Sequence, residues 1–166
     1  MKRAESIDIE ASPDKVWAVS AEQFADIGVW SSGVTRSHAL PLTSQAQVGQ
    51  SLGVAGRVCE TPQGETIETL TELDAASRTF TYEITGDAMP FFVKRATNTW
   101  SVTPLGPNRT RLTMSVEMQR KGLVGAVMDP MMGFGMGRVL RTNLEDLKHF
   151  IETGTQTARK AKLATA

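Results

Sequence analysis

Among the side chains able to do chemistry, Tyr82, Lys94, Asn98 and Trp100 share one strand parity, which makes them the first candidates for a buried polar site. In "RTFTYEIT", Phe80, Tyr82 and Ile84 alternate with Thr81, Glu83 and Thr85. In "ATNTWSVT", Ala96, Asn98, Trp100 and Val102 alternate with Thr97, Thr99, Ser101 and Thr103. If the aromatic row faces inward, Asn98 goes with it, and Lys94 lies on the same parity near the start of its strand. Inward polar atoms need partners, and a ligand's oxygen is one kind. Asn98 bonded to buried water and Lys94 reaching out to solvent is the other reading. Tyr82 and Trp100 also suit plain core packing.

Methionines form the second group. Met114 and Met118 fall on the apolar row of "TRLTMSVEM", and Met128, Met131, Met132 and Met136 crowd the stretch before the last helix. Methionine adapts to irregular shapes, so a pliable lid over an apolar ligand, core filling and a homodimer contact are all open. The glycines at 122, 125, 133, 135 and 137 do not make a phosphate loop, because no strand precedes them and no Lys-Ser/Thr follows.

Nucleophile and metal signals are weak. Cys59 has no evident activating base in its strand, and a lone Cys is usually a small buried hydrophobe. His38 follows an early strand, His149 falls on the polar side of the last helix, and no His/Cys/carboxylate spacing suggests zinc. No metal or cofactor is expected.

Composition narrows the classes further. The 166 residues suit one domain with a substantial core or an enclosed cavity. Eighteen basic residues balance eighteen acidic ones with no basic-aromatic cluster, which argues against nucleic acid as a partner. The charged start "MKRAESIDIE" is unlike a signal peptide, and one Cys cannot pair internally, so a cytoplasmic location is expected. Gly122 to Leu140 is apolar but is broken by Asp129 and Pro130, so stable membrane insertion is not expected.

The positioning elements follow from pattern. Ser12, Pro13 and Asp14 suit the start of a helix running toward Ala21. A second short helix covers "AEQFADIG". Strands are predicted at "SIDIE", "GVTRSHAL", "QSLGVAGRVCE", "ETIETLTEL", "RTFTYEIT", "ATNTWSVT" and "TRLTMSVEM", with turns at "TPQG" and "PLGPN". Val139, Leu140, Asn143, Leu144, Leu147, Phe150 and Ile151 recur at helical spacing opposite Arg141, Glu145, Asp146, Lys148 and Glu152. Residues 155–166 read as a flexible tail after a domain spanning 1–154. The order is α+β, with a long helix covering an antiparallel sheet.

The ordered set "I.I.ASPDKVW", "IGVW", "ETLTELD...RTFTYEI", "W.V.PLG.NRTRLT" and "LEDLKHFIE" resembles the START-like SRPBCC superfamily, and most its polyketide cyclase/dehydrase and lipid-transport branch, from Ser6 to Glu152. The resemblance implies a helix-grip fold, a seven-stranded curved antiparallel sheet around the C-terminal helix. Two short helices would close one end with Trp17 and Trp30, leaving a tunnel between sheet and helix. It also places Glu68 where some relatives carry a pocket-facing carboxylate, although alternation alone leaves the parity of that strand open. The implied function is binding or carrying a small hydrophobic molecule (lipid, polyketide-like or aromatic), with Glu68, Tyr82, Lys94, Asn98, Trp100, Met114, Met118 and Met136 as ligand contacts. Glu68 and Lys94 would form its polar pole. The alternatives are a cyclase/dehydrase using Glu68 with Tyr82 or Lys94 in acid/base chemistry, and an interaction protein using the Met-rich segment. The Gly- and Met-rich stretch from Leu123 to Gly137 and Lys94, where relatives often carry an aromatic residue, depart from the family pattern.

Overall fold

The computed structural model describes residues 1–44, 48–120 and 129–163, at 120 and 129–134 by backbone alone. Seven strands form one antiparallel sheet in the order β1-β7-β6-β5-β4-β3-β2. They are β1 (Lys2–Ile9), β2 (Arg36–Leu40), β3 (Gly56–Thr61), β4 (Gly64–Asp74), β5 (Thr79–Thr85), β6 (Val93–Gly106) and β7 (Arg109–Arg120). Every sequential pair from β2 to β7 is a hairpin neighbour, and β1 returns to pair with β7. This is the meander expected from alternation, closed by the first strand.

The first helix, α1 (Pro13–Trp17), starts as its residues dictate: the Ser12 hydroxyl accepts from the Lys15 N–H at 3.3 Å, and Pro13 occupies the first turn. It runs into a π-helical turn (Ala18–Glu22) and a 3-10 turn (Phe24–Asp26) before α2 (Ile27–Trp30). Gly28 lets α2 approach β2, since a Cβ there would lie 2.7 Å from the Ser37 backbone nitrogen. Trp17 and Trp30 then pack edge-on against Phe80 and Trp100, with centroids 5.9 and 6.5 Å apart. That is the closed end implied by the family resemblance.

The long helix α3 (Asp129–Thr153) lies across the concave side, mainly over β1. Leu140, Leu144, Leu147 and Ile151 are all buried, as their spacing requires. Two expectations need correction here. The helix begins at Asp129, so the backbone at Met131, Met132 and Met136 is helical rather than loop, while Met128 lies outside the described residues. Val139, counted with the apolar face, is 57% exposed because it falls off the stripe that carries Leu140, Leu144, Leu147 and Ile151.

The expected tail is also different. Residues 155–163 fold back, and α4 (Ala158–Leu163) docks against the α2–β2 connection. Gln156 donates to the Val29 carbonyl at 2.7 Å, Thr157 and Arg159 each donate to Asp146 Oδ1 at 2.7 Å, and Lys160 donates to the Val34 carbonyl. Hydropathy missed this because polar pairing, not apolar burial, holds the segment. Asp146, buried on α3, is its anchor. Among the described residues no helix is long and apolar enough to cross a membrane.

Candidate functional site

Register places the inward residues in rows across the sheet. One row runs Arg57, Glu68, Ile84, Ala96, Met118 from β3 to β7; the next carries Leu70, Tyr82, Asn98 and Val116 from β4 to β7. A third brings Phe80, Trp100 and Met114 together on β5, β6 and β7. Directly opposed residues of antiparallel strands share a face, so these rows converge on the concave side. The hairpin that sets Arg57 opposite Glu68 needs Gly56, where a Cβ would lie 2.1 Å from the Glu68 carbonyl oxygen.

Arg57 is the centre of the site and is 1% exposed. Its Nε donates to Glu68 Oε2 at 2.6 Å, and Nη2 reaches the same oxygen. Nη1 donates to the Phe24 carbonyl at 2.7 Å and Nη2 to the Tyr82 hydroxyl at 3.3 Å. The guanidinium lies 3.9 Å from the Phe24 ring centroid and 5.1 Å from that of Tyr82. An always-charged, planar donor among aromatic faces is stable in such a place only when its hydrogen bonds are met. Burial by itself would lower its pKa; the Glu68 carboxylate overrides that and leaves it raised.

Around this pair the other polar groups stay neutral. Burial first, and then the Glu68 charge, push the Tyr82 hydroxyl well above its usual range. The same two causes push the Cys59 thiol up to about 12. Asn98 holds its amide 2.9 Å from the Tyr82 hydroxyl. The Asn98 Oδ1 and the Trp100 indole N–H have no hydrogen-bond partner among the described residues. His38 is exposed, and His149 contacts Thr155 on the outer part of α3, so neither imidazole joins the site.

Of the residues picked out from sequence, Glu68, Tyr82, Asn98, Trp100, Met114 and Met118 point to the concave side, with Met136 half-buried against the same core. Glu68 is not solvent-facing: its side chain is only 12% exposed. Lys94 does not join them. A register shift between Val93 and Arg95 breaks the parity of β6 at its start, and Lys94 is exposed beside Phe91 in a surface hollow at the β5–β6 connection. The charged partner that the fold brings to Glu68 is therefore Arg57, not Lys94. Sequence reading passed over Arg57 and Phe24. The available signal was that Arg57 shares parity with Ala55 and Cys59, but Val54 and Val58 made the opposite row look equally buried.

Among the described residues, the interior toward the closed end is filled by aromatic side chains. Phe24, Phe80 and Tyr82 contact one another, and Trp100 stacks on Phe80, at centroid distances of 5.2 to 6.3 Å. Among the described residues, no group of three or more His, Cys, Asp and Glu could hold a metal ion.

Similar architecture recurs in solved structures. A START superfamily protein from Mycobacterium smegmatis matches with a TM-score of 0.71 at 14% identity, covering 93% of this chain and 99% of that one. The Zhui aromatase/cyclase from Streptomyces matches with a TM-score of 0.65 at 14% identity, covering 95% and 99%. A Thalictrum norcoclaurine synthase point mutant in complex with a transition-state analogue matches with a TM-score of 0.65 at 15% identity, covering 91% and 93%. At these identities the likeness concerns the fold. No curated protein matches in sequence. The family model described as polyketide cyclase / dehydrase and lipid transport matches residues 2–152, so the chain belongs to that family.

Proposed function

We propose that the protein binds and carries a small, largely apolar molecule against the concave side of its sheet, oriented by the polar cluster of Arg57, Glu68, Tyr82, Asn98 and Trp100. The observation that carries this reading is hydrogen-bonding capacity left over in a buried place. Asn98 and Trp100 each hold a polar atom without a partner, beside a guanidinium whose own charge is already balanced. Such atoms cost free energy unless something meets them, and they sit among Ala96, Met114, Val116 and Met118, which suit an apolar body.

Binding is favoured over cyclase-type acid/base catalysis. A general acid or base works best with a pKa near the working pH. Here Tyr82 and Cys59 are pushed far above neutrality, Glu68 is engaged by Arg57, and both histidines lie elsewhere. The buried, unpaired Cys59 suits a reducing compartment, and the reading places the carrier in the cytoplasm.

Native mass spectrometry of the protein as purified from cells is the direct test, paired with titration by the uncharged dye Nile red. Retention of a small molecule, or stoichiometric dye binding by the folded protein, is the expected result. Dye binding that appears only as the protein begins to unfold would overturn the reading, because loosened states expose apolar surface without a native site.

A further inference from the structure

Four charged side chains meet where α3 crosses the start of β1, away from the cluster around Arg57. Alternation along β1 puts Arg3 and Glu5 on the same side as Ile7 and the buried Ile9, toward the helix. On α3, Arg138 and Arg141 are three residues apart and so lie next to one another on one side of the helix, with Gly137 beside them. Glu5 holds two of the three guanidiniums. Arg3 donates to its Oε1 from Nε at 3.1 Å and from Nη2 at 2.7 Å, and Arg141 Nη2 donates to its Oε2 at 2.8 Å. Gly137 makes room for this arrangement, because a Cβ there would lie 3.0 Å from Arg3 Nε and 3.1 Å from Nη2.

Arg3, Glu5, Gly137, Arg138 and Arg141 together line an open hollow of about 370 Å³. Three guanidiniums face one carboxylate there, so two positive charges are left over. Glu145, one turn along the helix from Arg141, does not offset them because it is paired with Arg159 at 3.1 Å. Donors are left over as well. Each guanidinium has five N–H groups. Glu5 takes two from Arg3 and one from Arg141, while Arg138 is exposed and has no ion pair or hydrogen bond among the described residues. The side chains of Arg3 and Arg141 are half exposed, and that of Glu5 only 12%, so the carboxylate keeps both in place while their remaining donors face solvent.

We propose that this hollow binds the dianionic phosphate of a phosphate monoester through Arg3, Arg138 and Arg141. The site is separate from the concave-side binding proposed above and does not depend on it. A phosphate monoester carries close to two negative charges near neutral pH and presents three acceptor oxygens, one for each guanidinium. The planar fork of Arg matches such oxygens better than a point charge does. A carboxylate brings one charge and two oxygens, fewer than the three arginines can meet.

The test titrates the 15N-labelled full chain with glycerol 3-phosphate near neutral pH, with ionic strength held constant by sodium chloride. Saturable shifts of the Glu5, Gly137 and Arg138 backbone N–H resonances are expected. Arg138→Gln and Arg141→Gln should each weaken binding about five- to tenfold, the size of one partly exposed charge-assisted contact. Arg36→Gln, on β2 at the opposite edge of the sheet, removes the same charge and should change affinity by less than about twofold. Gly137→Ala removes no charge but displaces Arg3, and it should also weaken binding. A second arm uses phosphatidylcholine vesicles containing phosphatidic acid, because a lipid headgroup can present the same monoester. Binding of glycerol 3-phosphate assigns a soluble ligand, and binding of the vesicles alone, with the same arginine dependence, assigns a lipid. No binding in either arm overturns the site. Equal binding to phosphatidylglycerol vesicles of matched charge, equal weakening by Arg36→Gln, or full affinity in Arg138→Gln or Gly137→Ala overturns it too.

Discussion

One carboxylate oxygen, Oε2 of Glu68, accepts from Nε of Arg57 and is ion-paired with its Nη2, so the buried guanidinium depends on a single residue of the neighbouring strand for its countercharge. Removing one partner strands a charge, whereas removing both does not. Glu68→Leu is expected to destabilise the protein by about 3 to 5 kcal/mol, and Arg57→Met combined with Glu68→Leu to recover most of that loss. Urea unfolding of both single variants and the double variant completes the cycle. Additive losses would mean that the two residues stabilise the fold independently.

Lys94→Met is the contrasting change. Its side chain is exposed and takes no part in the cluster, so stability should move by no more than about 0.5 kcal/mol and Nile red affinity should be unchanged. A loss of dye affinity would return Lys94 to the site.

Leu144 and Leu147 of α3 are buried to within 1% of full enclosure. Truncating either to Ala should cost about 2 to 5 kcal/mol, depending on how far the surroundings relax into the cavity. Thermal or urea unfolding measures this directly. A change near zero at both sites would mean that α3 contributes nothing to the core.

Asp146 ties the C-terminal segment to α3. Burial raises its pKa, but bonds from Ser32, Thr157 and Arg159 outweigh that and hold it below its ordinary 3.8. A carboxylate depressed in the folded state contributes stability that is complete above the unfolded value and lost as pH falls through the folded one. Wild-type stability should therefore drop below about pH 4 more steeply than that of Asp146→Asn. Unfolding free energies measured from pH 6 to pH 2 check it. Parallel curves would show that Asp146 is not the acid-sensitive anchor.

Cys59 should resist thiol reagents. With its pKa raised to about 12 and no exposed surface, the native protein should react with a disulfide reagent at pH 8 only as fast as it opens. Reaction should become rapid in denaturant. Fast labelling of the native state, followed by absorbance, would show that β3 is accessible from the concave side.

The sequence by itself determined the element order as far as α3, the shared parity of Tyr82, Asn98 and Trp100, the face of α3 from Leu140 to Ile151, and the family resemblance. Each of these rests on a period of two or 3.6 residues, or on an ordered motif, both of which are local along the chain. Tertiary structure decided the rest. Arg57 is a functional candidate only because β3 pairs with β4 in the register that brings it to Glu68, and because the turn before α2 sets the Phe24 ring and carbonyl over it. Lys94 leaves the site because of a one-residue shift at the start of β6, which alternation cannot reveal. The segment after Gly154 docks through hydrogen bonds to Asp146 and to the Val29 and Val34 carbonyls, partners distant in sequence whose nearness hydropathy does not encode. The physical reason is the same in all three cases: a buried polar group takes its meaning from the partner that meets it, and that partner is supplied by the fold.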